Sequence, residues 1–286
     1  MSLNVLQNRW DGTEGNDSWV AENSTKGWTA YGRGGDDHIT GSPLADMLSG
    51  GDGFDVIHGG GGSDRLYGGE GVDQLYGGDG NDLIEGGGQY DLIYAGNGND
   101  VVIGGGIAYG EAGNDRLHGS DERDIMSGGD GNDTLNGGNG ADFLMGGAGS
   151  DTIHSGGDNS GNFFYTDELQ GDGGKDFLHG DLGRDVFVYW GVSDSAPGAA
   201  ARDVIYNFTQ GADDIQLAMD ADANTAEQED FVFIGTDAFS GEAGELRYEA
   251  SNGSTFVTGD VNGDSLADFE IELVGEVDLT ASDFMY

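Results

Sequence analysis

The chain has no cysteine, two prolines and ten lysines and arginines among 286 residues, against 54 acids. Without cysteine there is no disulfide framework, no thiolate metal site and no thiol nucleophile. So few cations leave no basic patch for nucleic acid or an anionic membrane. No apolar run approaches membrane-spanning length, so no membrane insertion is expected. The N-terminus lacks a charged-then-apolar signal peptide, which taken alone favours the cytoplasm. Met1-Ser2-Leu3 is compatible with an expression scar, which would put the natural start upstream. Catalytic signatures are also missing. No histidine is followed by glutamate, so HExxH does not occur, and no serine stands in GxSxG. Strings resembling GxGxxG are common, but no helix follows them, so nucleotide binding has no support.

What the chain does contain is glycine, 58 residues of it, and a formal charge of −44. Those two features would suggest disorder. However, the hydrophobic fraction is 36%, near the globular norm, and the apolar residues are periodic. Like charges at this density oppose any compact state, so either the chain stays open or something cationic neutralises it.

The period is nine. With aspartate at slot 6 of a nine-residue unit, one unbroken register holds Asp46, Asp55, Asp64, Asp73, Asp82, Asp91 and Asp100. A second run holds Asp115, Asp124, Asp133, Asp142 and Asp151, and a last pair is Asp176 and Asp185. Two residues after each, at slot 8, comes an apolar residue: Leu48, Ile57, Leu66, Leu75, Ile84, Ile93, Val102, Leu117, Met126, Leu135, Leu144, Ile153, Leu178 and Phe187. Slots 1, 2 and 4 are usually glycine, which turns the chain sharply by accepting positive φ. Slots 7 to 9 form a short strand with slot 8 facing inward. Two units, eighteen residues, make one coil of a flattened spiral whose strands stack about 4.8 Å apart. Units eighteen apart then share an edge. Asp46, Asp64, Asp82 and Asp100 form one column; Asp55, Asp73 and Asp91 form the other.

Carboxylates stacked that closely repel strongly without a counter-ion. The glycine turns add unpaired backbone carbonyls pointing into the same cleft. Slot 1 supplies Gly50, Gly59, Gly68, Gly77, Gly128 and Gly137. A carboxylate plus several carbonyl oxygens in an irregular cage describes a calcium site; magnesium wants a strict octahedron with retained water, and soft metals want Cys or His. Multiple calcium ions are therefore the expected cofactor.

"GGDGNDLIE", "GGDGNDTLN" and "GGAGSDTIH" follow the pattern GGxGxD-x-apolar-x. In this, residues from about Gly41 to Val188 resemble the RTX (repeats-in-toxin) family of hemolysin-type repeats. The resemblance implies an all-β fold, a right-handed parallel β-roll (β-solenoid) loaded with calcium. It also implies an extracellular protein secreted by a bacterial type I apparatus. "DVFVYWGVSDS", "DVIYNF" followed by "GADDIQL", and the closing "DFMY" resemble the C-terminal domain of serralysin-type metalloproteases. That implies an antiparallel β cap over 189–286 carrying an uncleaved export signal. Asp283-Phe284-Met285-Tyr286 suits such a signal and equally an ordinary last strand. The expected divisions are 1–40, degenerate coils closing the roll; 41–188, the roll; and 189–286, the cap.

Departures from the repeat carry their own expectations. Asp46 lacks the inner glycines, so its site should be weaker. Between Asp100 and Asp115 the spacing is fifteen, and "GGGIAY" (Gly104 to Tyr109) reads as a half-coil without aspartate, interrupting the calcium column on that edge. "SGGDNSGNFFYTDELQ" reads as an insertion bulging from one edge. About eight to twelve calcium ions are expected, each held at roughly 10⁻⁴ to 10⁻³ M. Near the N-terminus, Trp10, Trp19 and Trp28 are nine apart; Asp17 holds the aspartate slot, Asp37 resumes it after a two-residue slip, and Lys26 falls in one, where it reads first as a solvated surface lysine and second as an ammonium replacing an ion. "DVNGDSLAD" (Asp260 to Asp268) has an EF-hand-like start but Ser265 and Ile271 at positions that need Gly and Glu, so it reads as a hairpin turn. "GELRYEASNGSTFVTGDVNGDSLADFEIEL" reads as two or three antiparallel strands.

His38, His58, His118, His154 and His179 all fall at outward slots, a surface role rather than zinc ligation. Tyr67, Tyr76, Tyr94 and Tyr109 also face out. They could stack on a polysaccharide, but such residues suit any exposed strand. The function expected is a calcium-dependent folding and export module, not an enzyme. The alternative is an adhesin or polysaccharide-binding module, or the non-catalytic end of a larger secreted hydrolase.

Overall fold

Side chains along residues 47–52, 56–61, 65–70 and 74–79 alternate between buried and open, the signature of stacked strands with one face inside. In a computed structural model, which describes residues 2–4, 8–21, 25–157, 166–225 and 228–286, that alternation builds an all-β, parallel β-solenoid. Among the described residues the only helical element is the 3₁₀ turn Ala281–Asp283. No helix there is long and apolar enough to cross a membrane. Met1, residues 5–7 and 22–24 of the expected N-terminal coils, and 158–165 of the expected bulge lie outside the described residues.

The chain divides into two units, Met1–Gly140 and Ala141–Tyr286. In the first, one sheet stacks Arg9–Asp11, Thr29–Gly34, Met47–Asp52, Arg65–Glu70, Leu83–Gly88, Val101–Ile103, Arg116–His118 and Thr134–Gly138 in parallel. Ser2–Asn4 pairs antiparallel at its end. The other sheet stacks Ser18–Val20, His38–Thr40, Val56–Gly61, Gln74–Asp79, Asp91–Asn97, Gly106–Ala112 and Ile125–Asp130, all in parallel. The registers Leu48↔Leu66, Leu66↔Ile84 and Ile57↔Leu75 join residues eighteen apart, so two nonapeptides make one coil.

Between the sheets lies the core. Every slot 8 residue from Leu48 to Phe187 is buried, most with no exposed surface. Trp10 and Trp19 occupy the same inward position at the start of the first unit. Their rings stack at 5.7 Å, and Trp28 meets Trp19 edge-on at 5.3 Å.

In the second unit one sheet runs Thr152–Gly156, Phe177–His179, Val204–Tyr206 and Phe269–Val274 in parallel, then turns antiparallel through Ser254–Asp260 and Glu245–Ser251. Two or three antiparallel strands are expected near the C-terminus, and these three are present, Phe269–Val274 also pairing in parallel with Val204–Tyr206. The other sheet stacks Phe143–Gly149, Thr166–Gly174, Arg184–Tyr189, Asp214–Leu217 and Phe284–Met285 in parallel. Parallel stacking thus continues past Val188, where the glycine turns stop. The described part of the expected bulge is an ordinary rung: Thr166–Gly174 pairs on both sides and buries Leu169 beside Leu144.

Candidate metal centres

Most turns are shaped by glycine where the backbone enters the left-handed region. Slots 2 and 4 of one turn, Gly51 and Gly53, have φ of 123° and 134°. The turn delivers the slot 6 aspartate to the start of the next strand, buried. One carboxylate oxygen, Oδ1, then accepts the backbone N–H of the aspartate one coil earlier. On one edge of the first unit Asp37, Asp55 and Asp73 donate to Asp55, Asp73 and Asp91 at 2.8, 2.8 and 2.9 Å. On the other edge Asp46, Asp64, Asp82, Asp100 and Asp115 donate to Asp64, Asp82, Asp100, Asp115 and Asp133 at 2.7–2.8 Å. The two columns read from the spacing are therefore present. In the second unit the same bond joins Asp142 to Asp167, Asp151 to Asp176, Asp176 to Asp203 and Asp185 to Asp213.

The other oxygen is the site. Oδ2 of Asp37, Asp55, Asp64, Asp73, Asp82, Asp91, Asp100, Asp115 and Asp176, and Oδ1 of Asp185, are buried without a hydrogen-bond partner. A buried carboxylate oxygen left unpaired is costly, and a repeated row of them calls for a cation. Among the described residues no three His, Asp or Glu side chains are arranged to hold a metal by themselves. Most of an ion's shell would have to come from backbone carbonyls, and the turns bring them. A Cβ placed on Gly59 would lie 2.5 Å from both Asp64 Oδ2 and the Gly77 carbonyl oxygen; on Gly110 it would lie 2.5 Å from Asp115 Oδ2 and the Gly128 carbonyl. The Gly50, Gly59 and Gly137 carbonyls stand likewise beside Asp37, Asp46 and Asp124. Gly68 lies against Asp73 Oδ2, with the Gly86 carbonyl at the same place. An all-oxygen, irregular donor set with one or two charges fits calcium.

Burial pushes these carboxyls up. Asp55, Asp64, Asp91 and Asp115 rise to about 7 and Asp100 to about 6, from an ordinary 3.8. In the second unit Asp176 rises to about 7, Asp185 to about 8 and Asp203 to about 9 for the same reason, with neighbouring carboxylates adding to it.

Not every aspartate of the series is left open. Asp46 Oδ2 accepts the Ser42 N–H at 2.5 Å, and its Oδ1 accepts the Ser42 hydroxyl at 3.2 Å and the Trp28 N–H. Asp124 takes the Ser120 N–H at 2.7 Å and hydroxyl at 3.1 Å. Asp17 takes the Thr13 N–H and hydroxyl, at 2.6 and 2.9 Å. Asp213 takes the Thr209 N–H at 2.7 Å. In each case Ser or Thr stands four residues before the aspartate, at the slot that is otherwise usually glycine, and the chain's own donors meet the carboxylate.

Other expectations sort as follows. Gly106 stands where the column needs an aspartate beside Asp91, so that edge is interrupted at "GGGIAY". The Gly106 N–H donates instead to Asp124 Oδ1, at 2.5 Å. Lys26 is not in an aspartate slot. Thr29 pairs with Met47, which puts Trp28 opposite Asp46 and leaves Lys26 two residues earlier on the surface. The even spacing of the tryptophans hid this, because Ala30 and not Trp28 occupies the inward slot. Asp167, Asp203 and Asp213 were missed. The only sequence signal for them was an aspartate two residues before an apolar one: Leu169, Ile205 and Ile215.

"DVNGDSLAD" is the hairpin joining Ser254–Asp260 to Phe269–Val274. Asp260 accepts three N–H groups of its own loop, from Asn262, Gly263 and Ser265. Asp268 accepts the Val261 N–H and the Asn262 side-chain amide. The histidines lie on outer strand faces. His154 and His179 stack at 4.2 Å, with Asp181 3.4 Å from His154 Nδ1. Tyr76, Tyr94 and Tyr109 also stack on one another, at 5.4 and 5.0 Å, with His58 on the far side of Tyr76 at 4.5 Å. The stack covers both faces of Tyr76 and Tyr94 and one face of Tyr109.

Three solved structures share likeness with the chain. The AlgE6R3 subunit of the Azotobacter vinelandii mannuronan C5-epimerase is 24% identical, with a TM-score of 0.35, over 60% of this chain and 77% of that one. The AlgE6R2 subunit of the same enzyme is 22% identical, with a TM-score of 0.37, over 57% and 91%. The extracellular lipase LipA from Serratia marcescens is 15% identical, with a TM-score of 0.25, over 88% of this chain and 40% of that one. The family described as peptidase M10 serralysin C terminal matches residues 15–286, nearly the whole chain. With its RTX-type repeats and β-roll, the chain belongs to the peptidase M10 serralysin C-terminal family.

Proposed function

We propose that this chain is a calcium-dependent folding and export module of a type I-secreted bacterial protein, acting outside the cell and carrying no catalysis in these residues. The observation that carries the reading is the row of buried, partnerless carboxylate oxygens facing glycine carbonyls, coil after coil. Where calcium is scarce, as inside a bacterium, those carboxylates repel and the chain stays unfolded, suited to export. Where calcium is abundant, ions bind only the folded form and so drive folding by linkage. In this reading the ions sit beside Asp37, Asp55, Asp64, Asp73, Asp82, Asp91, Asp100, Asp115, Asp133, Asp142, Asp151, Asp176 and Asp185. Asp17, Asp46 and Asp124, whose oxygens Ser or Thr already meet, hold calcium weakly or not at all. Residues 189–286 then close the roll and carry the export signal. Phe284–Met285 is a paired strand in the folded state, so the apparatus must read it before folding.

A calcium-soaked crystal with anomalous scattering tests the site assignment. Peaks are expected between neighbouring turns beside Asp55, Asp64 and Asp73, with none at Asp46 or Asp124. Peaks confined to the surface would sink the assignment.

A further inference from the structure

The two edges of the first unit differ at slot 5, the residue just before each aspartate. On one edge slot 5 reads Ser63, Asn81, Asn99, Asn114 and Asn132. Each side chain accepts the backbone N–H of the next: Asn81 to Ser63 at 3.3 Å, Asn99 to Asn81 at 3.0 Å, and Asn114 to Asn99 and Asn132 to Asn114 at 2.7 Å. On the other edge slot 5 reads Phe54, Val72 and Tyr90, exposed by 42, 44 and 51%. The side-chain ladder starts there too, with the Phe54 N–H donating to Asp36 at 3.0 Å, but Phe54 has no acceptor to offer and the ladder ends. Three exposed apolar side chains in a row thus offer no acceptor, where Ser63, Asn81, Asn99 and Asn114 on the opposite edge each accept the next N–H. Local rules broken without a structural gain mark functional surfaces.

The row leads into a cavity. Beside the half-coil without aspartate lies a cavity of about 240 Å³, lined by Gln89, Tyr90, Ser120, Asp121 and Glu122 and by glycine backbone. Gln89 holds φ at 73° in the slot where Gly71, Gly80 and Gly98 serve neighbouring turns. A strained, non-glycine residue kept at a cavity mouth is a further sign of binding. Unlike the strand-face tyrosines, Phe54 and Tyr90 stack on no other ring among the described residues, and each is about half exposed. They lie two coils apart, about 10 Å at the spacing of stacked strands.

We infer that this edge binds an extended, neutral, β-linked glycan. The apolar faces of its pyranose rings lie on Phe54, Val72 and Tyr90, and its hydroxyls donate to the Asp121 and Glu122 carboxylates at the edge of the mainly apolar cavity. Rings of a flat β-1,4-linked chain alternate in orientation, so every second sugar presents the same face, which suits aromatic rings two coils apart. Asp121 and Glu122, with no cation among the lining residues, repel a polyuronate and favour a donor-rich, uncharged chain. The inference rests on the calcium-folded state proposed above.

The test titrates cellohexaose, a β-1,4-linked glucose hexamer, into the full chain in calcium, after circular dichroism has shown it folded. Expected are chemical-shift changes centred on Phe54, Val72 and Tyr90, with weaker binding of α-linked maltohexaose and of an anionic oligomannuronate. Phe54→Ala and Tyr90→Ala should each weaken binding about tenfold without moving the calcium midpoint, since both side chains are exposed. Gln89→Gly, which relieves the backbone, should weaken binding while leaving folding intact. A folded chain that ignores cellohexaose, binds it equally after both substitutions, or prefers oligomannuronate or oligolysine overturns this inference alone. A chain that stays unfolded in calcium overturns the folding reading and this one with it.

Discussion

At the scale of a residue, the decisive feature is what sits four places before each aspartate. Where it is glycine, as at Gly69 before Asp73, the carboxylate keeps an open oxygen. Where it is Ser42 or Ser120, the chain's own N–H and hydroxyl meet it. Asp73→Asn should therefore raise the calcium concentration needed for folding several-fold. Asp46→Asn should raise it far less, because no ion contact is lost; calcium titrations followed by circular dichroism compare the two, and equal shifts would refute the distinction. A second expectation concerns space. Gly59→Ala would put a methyl 2.5 Å from Asp64 Oδ2 and the Gly77 carbonyl, filling the ion's cradle. We expect a loss of about 1–3 kcal/mol in the calcium-loaded state, read from thermal or denaturant unfolding. An unchanged midpoint would show that the cradle is not used.

The element of this structure is the coil, and its columns couple one carboxyl to the next. Asp55, Asp64, Asp91 and Asp115 are held up to about 7 by burial. The metal-free folded state therefore binds more protons than the unfolded chain between their ordinary value, 3.8, and about 7. By linkage its stability falls as pH rises through that window. Calcium-stripped protein taken from about pH 8 to about pH 5 should gain β-structure, and at fixed limiting calcium the ions should be displaced by the same protons. Circular dichroism that stays flat over that range without calcium would contradict the burial argument.

Coils were also the most legible part of the chain. Aspartate and apolar residue keep a fixed offset of two, so the columns, the core from Leu48 to Phe187 and the break at Gly104–Tyr109 could all be read. Asp167 and Asp203 could not, because the turns before them lack the glycines that announce a rung. Lys26 was misplaced because three evenly spaced tryptophans imitate a register that the backbone does not follow. The Ser and Thr caps were visible as letters, but their meaning needed the hydrogen bonds.

Over the whole molecule the governing quantity is charge. A formal −44 opposes compaction in both units, and the interior of each holds carboxylates that its own donors satisfy only by half. Circular dichroism of calcium-stripped protein near neutral pH, before and after adding millimolar calcium, tests this most directly. We expect a largely unfolded spectrum that turns β-rich over a steep calcium range and reverts with chelator. A β-rich spectrum in chelator, unmoved by calcium, would contradict the account.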